Sequence, residues 1–123
     1  MKLNLALATA ILAMTPAAAA WRVRFYSNAN YGGSEFTRAG EGGTGTACGS
    51  VPDWINDEIS SFRWWPENTA GTTSCCLYLY RDAGCQGKLD WAPACMRNDV
   101  PNLQGTALQD KISSFRTECF RLE

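Results

Sequence analysis

The chain has 123 residues, with 11 Lys and Arg against 12 Asp and Glu, a formal net charge of −1, and no histidine. That balance offers no broad basic surface for nucleic acid and no polybasic patch for a membrane. The missing imidazole removes the commonest general base and a member of most serine and cysteine triads.

Met1 to Ala20 reads as an export signal: Lys2 is the positive start, Leu3 to Met14 is mostly apolar, and Pro16-Ala17-Ala18-Ala19-Ala20 offers small residues for cleavage. The apolar run is too short for a membrane anchor. The expected mature protein starts near Trp21, and loss of Lys2 takes its charge to 10 − 12 = −2. Residues 21–123 are one small domain's worth of chain, expected to be secreted and monomeric.

Trp21-Arg22-Val23-Arg24-Phe25 alternates apolar and charged residues, which predicts a strand burying Trp21, Val23 and Phe25. Ser27 to Asn30 reads as a turn, and Tyr31 to Phe36 as the returning strand. Gly40-Glu41-Gly42-Gly43-Thr44-Gly45 formally fits a phosphate-loop pattern. No helix follows it, so it reads as a surface loop.

Two phrases then organise the chain: Asn56-Asp57-Glu58-Ile59-Ser60-Ser61-Phe62-Arg63 and Gln109-Asp110-Lys111-Ile112-Ser113-Ser114-Phe115-Arg116. In each, the Asp favours a tight turn by accepting from neighbouring N–H groups, and the alternation after the Ser pair predicts a strand. Short helical turns are admissible at their entries, Val51-Pro52-Asp53-Trp54 and Val100-Pro101-Asn102-Leu103. Oxygen-rich turns of this kind also carry the ligand set of a hard cation such as calcium.

Between the phrases, Asn68 to Ser74 is a polar connection, and the second half repeats the first: strand Leu77 to Tyr80, turn Arg81 to Gly84, return Cys85 to Leu89. Tyr80 follows Tyr26 and Gly87 follows Gly33 by 54 positions, whereas Ser113 follows Ser60 by 53. A duplication with one small net indel explains both figures. Motif one spans about 21–74 and motif two about 75–123, and two units this small are expected to pack together.

Cys48, Cys75, Cys76, Cys85, Cys95 and Cys119 all lie after the export signal. An even number in an exported chain predicts three disulfides, and the lack of C-x-x-C spacing and of histidine argues against zinc. Sequence leaves the 15 pairings open. Equivalence of the repeats suggests Cys48–Cys75 and Cys95–Cys119, with Cys76–Cys85 closing a short loop.

The run Phe25 to Gly33, with Tyr26, Tyr31 and Gly33, followed by a later Ser-containing strand, resembles the Greek-key signature of the βγ-crystallin superfamily. Asn56-Asp57-Glu58-Ile59-Ser60-Ser61 is similar to its calcium motif. Both recur in the second half, so the resemblance covers essentially all of residues 21–123. It departs from the pattern at Cys85, where the second hairpin aromatic would stand, and at Gln109 and Lys111 in the second phrase. The resemblance implies an all-β sandwich of two Greek-key motifs, stabilised here by disulfides. It also implies a calcium set in which Asp57, Ser60, Asp110 and Ser113 give side-chain oxygens while Glu58 and Lys111 give main-chain carbonyls. Gln109 and the Lys111 ammonium lower the charge available to such a set, which implies weak binding or one working site. The ion-free alternative keeps the same residues as turn caps and hydrogen-bond partners.

Catalysis is disfavoured by composition. Oxidised cysteines leave no thiolate, Lys88 and Lys111 lie in no desolvating apolar run, and Asp53, Asp57, Glu58 and Asp90 read as surface acids. The functional classes left open are a structural or interaction module, a secreted toxin or host-directed effector, and a proteinase inhibitor presenting the Gly40–Ser50 loop. The expected partner is an extracellular protein or a glycan, the latter stacking on Trp54, Trp91 or the exposed member of Trp64-Trp65. Trp64, in step with Phe62, is expected in the core.

Overall fold

The computed structural model describes residues 20–40, 48–67, 73–89 and 94–121. The expected export signal up to Ala19, most of the Gly40–Ser50 loop, the centre of the Asn68–Ser74 connection, and Asp90 and Trp91 lie outside the described residues.

Eight strands follow in order: β1 (Trp21–Asn28), β2 (Gly32–Gly40), β3 (Gly49–Ser50), β4 (Ser61–Trp65), β5 (Thr73–Asp82), β6 (Gln86–Lys88), β7 (Asn98–Val100) and β8 (Ser114–Arg121). They form two antiparallel four-stranded sheets, ordered β2-β1-β4-β7 and β3-β8-β5-β6. The architecture is the all-β, two-motif sandwich that the resemblance implies, with the two repeat units packed together.

The third strand of each motif sits in the sheet of the other. β3, from motif one, pairs with β8 through Gly49↔Phe115, and β7, from motif two, pairs with β4 through Arg63↔Asp99. Neither motif completes a sheet alone, so the halves form one folding unit. Gly49 is needed at the first crossing, because a Cβ there would lie 2.6 Å from the Phe115 ring.

The core is the meeting of the two alternating patterns. Val23, Phe25, Phe62 and Trp64 from one sheet face Leu77, Leu79 and Phe115 from the other, all buried. Phe25 lies 5.7 Å from the Phe115 ring and 6.0 Å from Phe62. Full burial of each such side chain contributes about 1.5–3 kcal/mol. Trp64 is fully buried, as its step with Phe62 predicts, whereas Trp54 is 55% exposed and meets Phe36 edge-on.

The disulfides are Cys48–Cys85, Cys75–Cys119 and Cys76–Cys95, so all three pairings expected from repeat equivalence are wrong. That expectation closed each motif on itself, and strand exchange defeats it. Cys48 leads into β3 and is carried to motif two, where it meets Cys85 in the second hairpin. Cys75 and Cys119 are direct cross-strand partners on β5 and β8. The Leu77↔Ala94 bridge brings Cys95 beside Cys76.

Replacing Cys48 and Cys85 together by Ser is expected to lower the unfolding free energy by about 2–4 kcal/mol, because a 37-residue separation is no longer cross-linked. Denaturant titration of the oxidised proteins measures it. Non-reducing peptide mapping should recover a bridge joining the two motifs.

Candidate functional site

Each hairpin folds back over its sheet and is held by one buried serine. Ser61 Oγ accepts from the Tyr31 N–H (3.1 Å) and donates to the Asn28 carbonyl (2.6 Å). Ser114 Oγ repeats this with the Cys85 N–H (3.0 Å) and the Asp82 carbonyl (2.5 Å). Gly33 and Gly87 have φ of +77° and +69° at the bends. At Gly33 a side chain would also strike Ser27 and Asn28, so glycine is required there twice over.

The corners before the serines are compact turns. Ile55 and Asn56 donate to the Pro52 carbonyl, Glu58 to Ile55, and Lys111 to Leu108. Asp57 and Asp110 take left-handed backbone, at φ +59° and +56°. Asp and Asn tolerate that region better than most residues with a Cβ. Ile59 and Ile112 plug the core beneath. Asp57 therefore makes its turn through its own backbone, and its carboxylate serves as acceptor for a residue of the other motif.

The two corners lie against each other. Asp110 N–H donates to the Ile59 carbonyl at 3.2 Å, Ser113 Oγ donates to Asp57 Oδ1 at 3.1 Å, and Gln109 Nε2 donates to Ser60 Oγ at 3.0 Å. Asp57 and Ser113 are thus brought together across the motifs. Ser60 and Asp110 line one open groove of about 360 Å³ with Ser27, Asn28, Asn102, Gln104 and Gln109. Glu58 and Lys111 have exposed side chains, and the backbone N–H of each closes its own turn. Among the described residues no three Asp, Glu, Cys or His gather as a metal cluster. Any cation here would rely on carbonyl, amide and hydroxyl oxygens beside one carboxylate.

A fit to such a cation shows in unpartnered atoms. Asn56 Oδ1 and Gln109 Oε1, at equivalent places in the two phrases, are buried without hydrogen-bond partners. Unpaired buried oxygens are costly unless something positive reaches them. The sequence marks Gln109 only as a departure from the motif. It does not reveal that the side chain, one methylene longer than Asn, reaches the Ser60 hydroxyl.

The hairpin positions Tyr31 and Cys85 are equivalent but differently used. Tyr31 packs edge-on against Tyr26 (5.5 Å) under the Arg63 guanidinium (3.9 Å). Desolvation, then the nearby Asp99 charge, hold its hydroxyl above the ordinary phenol range, so it stays neutral and a donor. Cys85 instead makes the bridge to Cys48.

The same arrangement occurs in solved structures. A βγ-crystallin from an archaeon superposes with a TM-score of 0.53 at 24% identity, covering 79% of this chain and 96% of that one. A chain solved for the evolution of the eye lens βγ-crystallin domain fold gives 0.57 at 20% identity, covering 89% and 95%. This chain has the βγ-crystallin fold. A βγ-crystallin from Ciona intestinalis agrees at TM-score 0.50 and 18% identity, covering 79% and 99%. The sequence matches no protein-family model and no curated protein sequence. On that fold the chain carries two folded hairpins, two serine latches and two adjoining corners, with Cys85 bridged to Cys48 at the place equivalent to Tyr31.

Ser61→Ala should cost about 1–3 kcal/mol, since it strands the Tyr31 N–H and the Asn28 carbonyl in a part-buried site. Ser114→Ala should cost less in folded-hairpin order, because the Cys48–Cys85 bridge still holds Cys85. Hydrogen exchange at the Tyr31 and Cys85 amides separates the two: a large loss of protection at Tyr31 and a smaller one at Cys85.

Proposed function

We propose that the chain is an exported, non-enzymatic βγ-crystallin-type module that binds calcium weakly at the corner where Asp57 meets Ser113. The observation that carries this is the Ser113 hydroxyl directed at the Asp57 carboxylate from the opposite motif, beside the unpartnered Asn56 oxygen. Hard, mostly neutral oxygens in a rigid turn suit calcium at the weak end of its affinity range, where extracellular modules work. Asp57, Ser113 and the Glu58 carbonyl are the residues assigned to hold the ion, and bound calcium would supply a cross-link between motifs. Every residue of the set is structural, and none needs to move a proton.

The second corner is the poorer one. Its Ser60 oxygen already accepts from the Gln109 amide N–H, which, unlike the rotating Ser113 hydroxyl, cannot turn its proton aside and so competes with a cation for that oxygen. Lys111 adds a positive charge to the same phrase. Export is supported by the Met1–Ala20 pattern and by the absence of free cysteines among the described residues, the arrangement favoured by an oxidising compartment. No described helix is long and apolar enough to cross a membrane. A non-catalytic role is supported by the lack of histidine and of free thiols.

Calorimetric titration should give about one calcium per chain with Kd of roughly 10⁻⁴–10⁻³ M. At ten times Kd the ion should stabilise the fold by about 1.4 kcal/mol, and chelation should reverse that. Asp57→Asn should abolish the heat, and Gln109→Asp should add a second binding event. No heat at millimolar calcium would remove the ion from the account and leave the fold intact.

A further inference from the structure

One face of the sandwich has no part in the corners. On the outer side of the sheet β2-β1-β4-β7, Arg22 pairs with Trp65, and Arg24 with Arg63, which in turn pairs with Asp99. The guanidiniums of Arg22, Arg24 and Arg97 lie 5.9, 5.8 and 4.6 Å from the centre of the Trp65 ring. Three arginines thus converge on one indole, with Arg63 beside them over Tyr31, in a chain whose net charge is −1. Among the described residues the one acid within the array is Asp99, with Glu35 and Glu67 at its rims.

Stability accounts for Arg63, which covers the Tyr31 ring, but not for the cluster on Trp65. Like charges on neighbouring strands repel. Among the described residues Arg24 has a hydrogen bond from Nε to Thr37 and the indole contact, and no ion pair with an acid. Beside the array is a recess of about 400 Å³ lined by Trp65, Pro66, Glu67, Cys95, Met96 and Arg97, with Met96 78% exposed. The Cys76–Cys95 disulfide pins the wall that carries Met96 and Arg97, so the recess is preorganised.

We infer that this face binds an acidic polysaccharide of the uronic acid type, with sugar rings against Trp65 and Met96 and their carboxylates in the arginine forks. The face already holds a carboxylate in that manner: Arg97 Nη2 reaches both Asp99 oxygens, at 2.9 and 3.1 Å, and Nε reaches one at 3.3 Å. A planar carboxylate matches the planar guanidinium fork. Every cation in the array is Arg, none Lys. Neighbouring strands are about 4.8 Å apart and alternate residues on a strand about 6.8 Å apart. The backbone positions that carry Arg22, Arg24 and Arg63 therefore repeat on the scale of successive sugars in a chain. The exposed Met96 and the half-buried Trp65 beside the forks suit a sugar ring's apolar face better than a headgroup plane.

The test is calorimetry of the disulfide-intact protein with a galacturonate hexamer at low and moderate salt. Binding is expected, weakening as salt rises. Replacing Arg22, Arg24 and Arg97 together by Gln should weaken it at least about tenfold with the melting temperature held. Glu67→Gln should strengthen it about two- to threefold by removing a repelling carboxylate. Arg116→Gln, on the other sheet, should change nothing. Hydrogen-exchange protection on adding the hexamer should concentrate at β1, β4 and the Cys95–Arg97 wall, which keeps the inference testable should the triple variant fold poorly. No binding at about 1 mM hexamer, equal loss in Arg116→Gln, or tighter binding of a neutral glucose hexamer, a sulfated hexasaccharide, single-stranded DNA or anionic vesicles would overturn it. Calcium titration is unaffected by any of these outcomes.

Discussion

The structure depends on two buried hydroxyls. Ser61 and Ser114 each accept from one arm of a folded hairpin and donate to the other, fastening the hairpin to the last strand of its own motif. A hydroxyl suits the place because it is donor and acceptor at once and can rotate to serve both. With the hairpins folded over, the first and last strands of each motif are centred in their sheet. The outer place beside the last strand is then open to the third strand of the other motif. Strand exchange, the shared core and the adjacency of the two Asp corners follow from that fastening.

The two halves solve the same problem with different chemistry. At the hairpin of motif one, Tyr31 is held by a ring contact with Tyr26 and by the Arg63 cation, interactions that need good geometry and cost nothing in redox terms. At motif two, Cys85 replaces the aromatic and binds covalently to the exchanged strand. The short β3, with two paired residues, has little ladder of its own to hold it in the foreign sheet. A bridge at Cys48, the residue just before it, supplies what hydrogen bonds cannot. Its counterpart β7 has three paired residues and an Arg97–Asp99 ion pair, and needs no bridge at that point.

Most of the fold is legible in the sequence, because local signals and the repeat agree. Trp21-Val23-Phe25 and Phe62-Trp64 alternate as strands do and are buried, and the 54- and 53-residue offsets correctly equate Tyr31 with Cys85 and Ser61 with Ser114. The disulfides were not legible by the same logic. Equivalence relates positions within motifs, whereas Cys48 and Cys85 meet because a strand leaves its motif, and nothing near Cys48 in sequence records that. At the corners, Asp57 and Ser113 are legible as a pair through the resemblance. The Gln109 contact depends on the reach of one extra methylene, which pattern matching does not measure.

The distribution of charge follows from the same architecture. In each motif three outward positions of the first and last strands correspond, and they read Arg, Arg, Arg in motif one (Arg22, Arg24, Arg63) but Cys, Tyr, Arg in motif two (Cys76, Tyr78, Arg116). The second sheet therefore spreads its cations over a tyrosine, with Arg116 and Lys88 each 5.6 and 5.3 Å from the Tyr78 ring. It also sets Glu118 within 3.8 Å of Arg116. That sheet is locally balanced, and it resembles an ordinary solvated face. The first sheet gathers Arg22, Arg24 and Arg97 on one indole and leaves them short of acids among the described residues, even though its registers offered Ala39 and Thr37 as sites where acids could have stood. A duplicated fold thus carries two outer faces of the same shape, and only one of them keeps an uncompensated charge whose maintenance the fold itself does not require.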